Sequence, residues 1–438
     1  MNKEMKGKKL ILTILVIFFI ASTGILVGRW SIKNVGADVE GYEELKVYTE
    51  ALTLVRENYV DNVEQQDLVY SSIKGMLNAL DPHSAFMTPD MYKEMQVDTK
   101  GEFGGLGIQI GIKEGMLTVI APIEDTPAYR AGIKAGDKII KINDEFTKDM
   151  GLQDAVSKMR GAPSTSVKIT ILREGWKETK DFTIIREIIK IKSVKSKILE
   201  EGIGYIKITQ FQEKTASDLS DAIDNFKQKN IYSLILDLRN NPGGLLNTAV
   251  DITGQFIPTG KLVVFIKDKK GQRIEYKSTD SNPNVDLPMV VIVNQGSASA
   301  SEIVAGALKD WNRAVIIGTK TFGKGSVQSV IPLSDGSALR LTTALYYTPK
   351  GTSIQATGII PDIIVKPKVK DGKKSLPAIR EIDLEGHLRN NEIEEKTNQE
   401  KEEEMIPIEV NEEEDIQLQR AIDLLKTWKV FKELPKAS

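Results

Sequence analysis

The chain has 438 residues, 41% of them hydrophobic and 27% charged, with a formal net charge of −2. That length holds two or three domains around a substantial core, and the near-neutral balance leaves no overall electrostatic footprint for nucleic acid. There is no cysteine and there are two histidines, His83 and His387, which excludes disulfides, cysteine nucleophiles, thiolate metal sites and a zinc centre built on several histidines.

Acid–base work at neutral pH therefore falls mainly to Lys, Asp, Glu or Tyr, and the sequence calls for no metal or cofactor. At the N-terminus, Lys3, Lys6, Lys8 and Lys9 precede residues 10–27, eighteen residues without a charge, and Arg29, Trp30 and Lys33 follow. This run is long enough to span a bilayer and longer than a usual signal-peptide core. Residues 1–36 are expected to form a cytoplasmic stub and signal anchor, with the basic end inside the cell. The expected location is the cell membrane, single-pass, with the remaining chain extracytoplasmic. Cleavage after Val35-Gly36-Ala37 would give a secreted protein instead, although that site lies well beyond the apolar run.

Residues 37–98 read as a helical region. Leu45, Tyr48, Leu52, Val55 and Tyr59 step by three and four, as do Val69, Ile73, Met76, Leu77 and Leu80. Their apolar faces pack on the core or on a second subunit. Asp81-Pro82-His83-Ser84 ends the second helix; His83 is a candidate base, and a structural hydrogen bond in a turn is the favoured reading.

From 99 to 188 the pattern changes to short strands and Gly-rich turns, with one helical run at 152–160. Gly105, Leu106, Gly107 and Ile108, together with Pro127-Ala128-Tyr129-Arg130-Ala131-Gly132-Ile133 and Gly136-Asp137, resemble a PDZ domain. In such a domain the backbone N–H groups of the glycine loop bind a terminal carboxylate, and the peptide adds as an edge strand.

Between 189 and 375, apolar runs at 204–208, 234–238, 262–265, 289–293, 314–317 and 339–346 alternate with helical patterns at 215–227, 246–256 and 301–311. That alternation predicts an α/β layered core. Asp237-Leu238-Arg239-Asn240-Asn241-Pro242-Gly243-Gly244 joins a strand to a helix, and its glycines offer free N–H groups as half of an oxyanion hole. Taken alone, a tight turn that needs glycine for its dihedrals is the favoured reading. Ser297, Ser299 and Ser301 sit where another buried strand becomes a helix, whose first-turn N–H groups favour developing negative charge. Lys324 then stands between glycines, which suggests a serine nucleophile with a lysine base. A free lysine is protonated at neutral pH, and burial can lower its pKa by several units.

Residues 376–438 comprise an acidic linker and a final helix. Residues 392–415 hold twelve acidic side chains against Lys396 and Lys401. Ala421, Leu424, Leu425, Trp428 and Phe431 then form one apolar face, so both ends of the chain offer surfaces through which a homodimer can form.

These motifs, in this order, resemble the C-terminal processing peptidases, or tail-specific proteases, from about Leu80 to Pro367. The resemblance implies a crotonase-like or Clp-protease-like core with an inserted PDZ domain. It selects Ser299 as nucleophile and Lys324 as base, matches Gln328 to the family's third residue, and assigns the oxyanion hole to the Gly243 and Ala300 N–H groups. It further implies that Arg160 gates communication between the PDZ domain and the protease, and that substrates are proteins or peptides with a free C-terminus. A catalytically silent or gated PDZ scaffold is the alternative of another class. A serine hydrolase using His83 is a third.

Overall fold

A computed structural model of the protein describes residues 39–199, 202–280, 284, 286–368, 375–390, 405–407 and 415–433. The expected membrane span at 10–27 and most of the acidic run lie outside the described residues. Residues up to Gly75 and residues from Met76 onward form separate compact units.

The first unit contains α1 (Val39–Asn58) and most of α2 (Gln65–Asn78). Tyr48 and Ser72 join the two helices through a hydroxyl–hydroxyl hydrogen bond of 2.6 Å. Leu45, Val55 and Tyr59, three members of the apolar face read in the sequence, remain exposed.

The second unit starts with β1 (Ala85–Met87) and α3 (Pro89–Lys100). Pro89 opens α3 behind the N-cap Thr88, and Gly101 at φ 70° closes it. The next segment is bracketed by β2 (Glu102–Gly105) and β9 (Glu187–Lys190), which pair antiparallel as a two-stranded neck. Within that bracket, β3 (Ile108–Lys113), β4 (Met116–Pro122), β5 (Lys138–Ile142), β6 (Glu145–Phe146), β7 (Ser166–Leu172) and β8 (Lys180–Ile185) form one sheet, with α4 (Pro127–Arg130) and α5 (Leu152–Met159) between them. Val119, Ile139, Ile169 and Ile171 from the strands and Ala155 from α5 make its own sealed core. The insertion thus buries its apolar side chains in a core separate from that of the layered half.

The other half is layered. β10 (Val194–Ile198) pairs antiparallel with β11 (Ile203–Ile208), and parallel pairing then runs through β12 (Ser233–Asp237), β15 (Met289–Val293), β16 (Val315–Gly318) and β19 (Ile363–Ile364). A parallel sheet needs both faces covered, and the two-residue period divides the side chains accordingly. Leu234, Leu236, Val291 and Val293 join the core built with α6 (Thr215–Gln228), α7 (Leu246–Gly254) and α8 (Ala300–Asp310). Ile235, Val290, Ile292 and Ile317 face the other way and meet Ala421 and Leu425 of α9 (Ile416–Glu433). The final helix therefore closes the open face of the sheet, while its Trp428 and Phe431 stay exposed at 57% and 67%.

A second sheet lies beyond the inner helices. It comprises β1, β13 (Leu262–Asp268), β14 (Arg273–Lys277), β17 (Ser326–Pro332) and β18 (Ala338–Tyr347), with β17 and β18 forming a long hairpin. Ser299 lies in the turn from β15 into α8, and Lys324 in the irregular segment between β16 and β17.

Candidate active site

Three serines alternate through the turn into α8, and their environments differ sharply. Ser297 Oγ donates to the Leu238 carbonyl at 2.8 Å, and Ser301 Oγ donates to the Asn241 carbonyl at 2.9 Å. Both are fully buried and hold the turn to the end of β12. Ser299 is half-buried and stands at φ 55°, ψ −114°. A non-glycine residue in this region costs about 1–3 kcal/mol and is kept where neighbouring structure fixes it. The same sharp strand-to-helix elbow lifts a nucleophile's side chain clear of its own backbone.

Gly243 packs directly against that elbow. A Cβ there would lie 2.8 Å from Ser299 Cβ, 2.9 Å from the Ala298 carbonyl and 3.1 Å from the Ala300 nitrogen, so only glycine fits. The Gly243 backbone thus lies close to the Ala300 nitrogen, and an oxyanion hole needs two such N–H groups near each other. In this conformation, however, the Gly243 N–H donates to Asn241 Oδ1 at 2.9 Å.

What holds the Ser299 and Lys324 segments together is a residue to which the sequence reading gave no role. Glu302, in the first turn of α8, is fully buried. Its Oε2 accepts the backbone N–H of Ser299 at 2.8 Å and of Lys324 at 3.0 Å. Its Oε1 accepts the Gly323 N–H at 2.8 Å and the Thr321 hydroxyl at 2.5 Å. Burial pushes the Glu302 carboxyl up to about 7, with these four donors working in the opposite direction. A local signal exists, since Ser299 and Glu302 have capping-box spacing, but nothing local shows the Lys324 segment folding back onto the same carboxylate.

Lys324 lies in the irregular stretch before β17, whose neighbours are also fastened, with the Gly325 N–H donating to Gln355 Oε1 at 2.9 Å. Burial lowers the lysine's pKa from its ordinary value and the charge of Arg340 adds to this, while Glu381, Asp81 and Glu302 pull the other way. A lysine held in this way is a better proton acceptor than one in water.

Gln328 is on β17, where a bulge follows Val327. It lines the same cavity as Ser299, about 420 Å³ in volume, together with Ser326 and Tyr346. Its amide donates to Ser326 Oγ at 2.9 Å and to Thr342 Oγ1 at 3.4 Å, and no hydrogen bond joins it to Lys324 among the described residues.

His83 occupies a structural setting. Its Nε2 meets Oε2 of the fully buried Glu381 at 2.7 Å, its backbone N–H donates to Asp81, and its carbonyl accepts from Arg340 Nε at 3.0 Å. Asp81 also receives the N–H and hydroxyl of Ser84 and the Thr342 hydroxyl, so Asp81-Pro82-His83-Ser84 pins the N-terminal edge to β18.

At the PDZ domain, Gly105, Leu106, Gly107 and Ile108 line a groove of about 410 Å³ closed by Val156 and Arg160. The Leu106 and Gly107 carbonyls are taken by the N–H groups of Ala128 and Ile123, which fixes the loop. Gly107 adopts φ 77° and leaves no room for a Cβ beside Thr126. Arg160 caps α5, and its guanidinium lies over the Phe103 ring of the neck at 4.7 Å.

Sequence comparison adds a second line of observation. The model for Peptidase family S41 matches residues 202–365, that for the PDZ domain matches 118–173, and that for the Activating protease CtpB N-terminal domain matches 29–91. A carboxy-terminal-processing protease of Bartonella bacilliformis is 43% identical over 390 residues, covering 87% of this chain and 89% of the relative. Carboxy-terminal processing protease CtpA of Bacillus subtilis is 36% identical over 81% of this chain and 76% of its own length. A carboxyl-terminal-processing protease of Synechocystis is 37% identical over 72% of this chain and 75% of its own length.

Proposed function

Because this chain belongs to the carboxy-terminal processing serine proteases of peptidase family S41, we propose that Ser299 is its nucleophile and Lys324 its general base. Ser299 Oγ attacks the scissile carbonyl, Lys324 takes the proton, and an acyl-enzyme forms that water then hydrolyses. Gly243 and Ala300 N–H groups hold the oxyanion. The observation that carries the assignment is the strained, half-buried Ser299 elbow tied through one buried carboxylate to the Lys324 backbone.

Two features of the conformation favour a gated resting form. An oxyanion at Gly243 has to displace or share the bond to Asn241, and Gln328 has to leave Ser326 to orient Lys324. The PDZ groove binds the substrate's free C-terminus in this reading. Arg160, stacked on the neck, passes that occupancy to the protease, so Arg160→Ala should blunt activation by a C-terminal peptide. Unchanged activation would exclude Arg160 from the gate.

The location rests on the basic N-terminus and the uncharged run at 10–27, which support a single-pass anchor with the protease extracytoplasmic. Among the described residues no helix is long and apolar enough to cross a membrane. Apolar side chains exposed on α1 and α9 support a homodimer through the terminal helices. The direct test of function is incubation of the full chain with an unfolded protein bearing an apolar C-terminus. Fragments should appear with the parent and not with folded Ser299→Ala or Lys324→Ala.

A further inference from the structure

Tyr346 stands near the end of β18 with its side chain in the main core, 2% exposed. Its backbone N–H donates to the Gly325 carbonyl at 2.9 Å, so the same residue that fixes the ring also fixes the chain next to Lys324. The ring reaches the cavity that Ser299, Ser326 and Gln328 line. At its tip the hydroxyl is sealed from solvent and meets no hydrogen-bond partner among the described residues. Such an orphan is uncommon, because a buried hydroxyl without an acceptor costs free energy that a phenylalanine would not.

The hydroxyl stays neutral. Burial holds its pKa well above the ordinary phenol value and the charge of Glu302 adds to this, while the adjacent Ser299 hydroxyl works in the opposite direction. It is therefore a neutral donor beside Ser299 that makes no hydrogen bond of ordinary geometry in this conformation. Catalysis creates an acceptor, since the serine oxygen carries developing negative charge as its proton leaves.

We propose that Tyr346 is a catalytic residue whose hydroxyl donates a hydrogen bond to Ser299 Oγ during acylation. The Oγ–H bond breaks and its proton passes to Lys324 Nζ. The Oγ–C bond forms, and the carbonyl π pair moves onto the carbonyl oxygen. Tyr346 keeps its own proton throughout. Its bond occupies one lone pair of Oγ, so the serine proton turns toward the lysine while the other lone pair faces the carbonyl carbon. This rests on Ser299 being the nucleophile and adds a group that neither the triad nor the oxyanion hole contains.

The test is Tyr346→Phe in the full chain, with Ser299→Ala alongside. Three readouts are taken: kcat and KM for an unfolded protein substrate with an apolar C-terminus, the rate of Ser299 labelling by a fluorophosphonate, and the thermal midpoint. Removing a donor to a charge-bearing oxygen should lower kcat about ten- to a hundred-fold and slow labelling in parallel, with KM little changed. The thermal midpoint should hold or rise, because the lost hydroxyl has no partner in the fold. Parental kcat in Tyr346→Phe would overturn the proposal. So would a midpoint lowered by several degrees, which would give the hydroxyl a structural partner. If Ser299→Ala still cleaves, the nucleophile assignment fails first. If Ser299→Ala is inert and Tyr346→Phe is fully active, only the role of Tyr346 falls.

Discussion

Asp237 at the end of β12 and Glu302 at the start of α8 are both fully buried carboxyls at the same edge of the parallel sheet. Asp237 meets a cation. Arg239 grips it with bonds of 2.6–3.1 Å, the Tyr205 hydroxyl adds another at 2.7 Å, and the same guanidinium reaches Asp415 and Gln417 at the head of α9. Among the described residues Glu302 accepts hydrogen bonds only from dipoles: three backbone N–H groups and one hydroxyl. An ion pair sets an opposite charge against the cost of burying a carboxylate, whereas dipoles only partly offset that cost. The first junction is thus a fastener that locks the last helix onto the sheet. The second can change charge near neutrality, and it is the one that holds the Ser299 and Lys324 segments.

The sharpest way to break the contrast is at Ser299 and Lys324, the proposed nucleophile and base whose backbones Glu302 holds. Ser299→Ala or Lys324→Ala should each cut kcat by at least about 10⁴-fold with little change in the unfolding midpoint. Comparable losses from Arg239 variants alone would mean that the fastener, not the Glu302 junction, carries the chemistry.

Glu302→Gln comes next. One carboxylate oxygen becomes an NH₂ facing two N–H donors, which should cost on the order of 2–6 kcal/mol in a urea titration and lower kcat about a hundredfold. The pH dependence gives the same comparison a sign. The Glu302 carboxyl is raised in the fold from 4.5 to about 7, so the folded state holds its proton more tightly. The resulting stability is fully present below about 4.5 and is lost as pH rises through about 7. Asp415 runs the other way. Burial works to raise its carboxyl, but the hydrogen bonds and charge of Arg239 outweigh this and hold it below 3.8, so its contribution disappears only as pH falls below the usual carboxylate range. Thermal melts of Glu302→Gln and the parent across pH 4–8 should converge on the alkaline side, and a constant difference would refute the charge change.

Asp415→Asn should weaken the fastener by about 1–3 kcal/mol and speed hydrogen exchange in α9, with kcat affected less than in Glu302→Gln. Smallest of all should be His83→Gln. Loss of the Glu381 partner costs about 1–2 kcal/mol of stability but leaves cleavage within roughly tenfold of the parent. Abolished cleavage in a folded His83→Gln protein would restore a histidine base.

Most of the fold could be read in the chain because its signals are periodic. The runs at 234–238 and 289–293 emerge as β12 and β15, and the patterns at 215–227 and 301–311 as α6 and α8. The serine turn was legible for the same reason, as a strand followed by helical spacing. The choice among Ser297, Ser299 and Ser301 was not, because it depends on hydrogen bonds to Leu238 and Asn241 from a different strand end. Gln328 and Gly243 were named from the family resemblance, and their present partners, Ser326 and Asn241, are local conformational choices that residue type does not encode. The acidic run at 392–415 read as solvated linker, and its last residue, Asp415, pairs with Arg239 across 176 positions. Tyr346 looked like one more strand aromatic, since nothing local marks a hydroxyl that will make no hydrogen bond of ordinary geometry.

The most direct measurement is to react the full chain with a fluorophosphonate and map the adduct by peptide mass spectrometry. A single adduct on Ser299, formed faster as pH rises toward neutrality and absent from folded Lys324→Ala, is the expected result. An adduct on Ser297 or Ser301, or undiminished labelling without Lys324, would contradict the Ser299–Lys324 assignment.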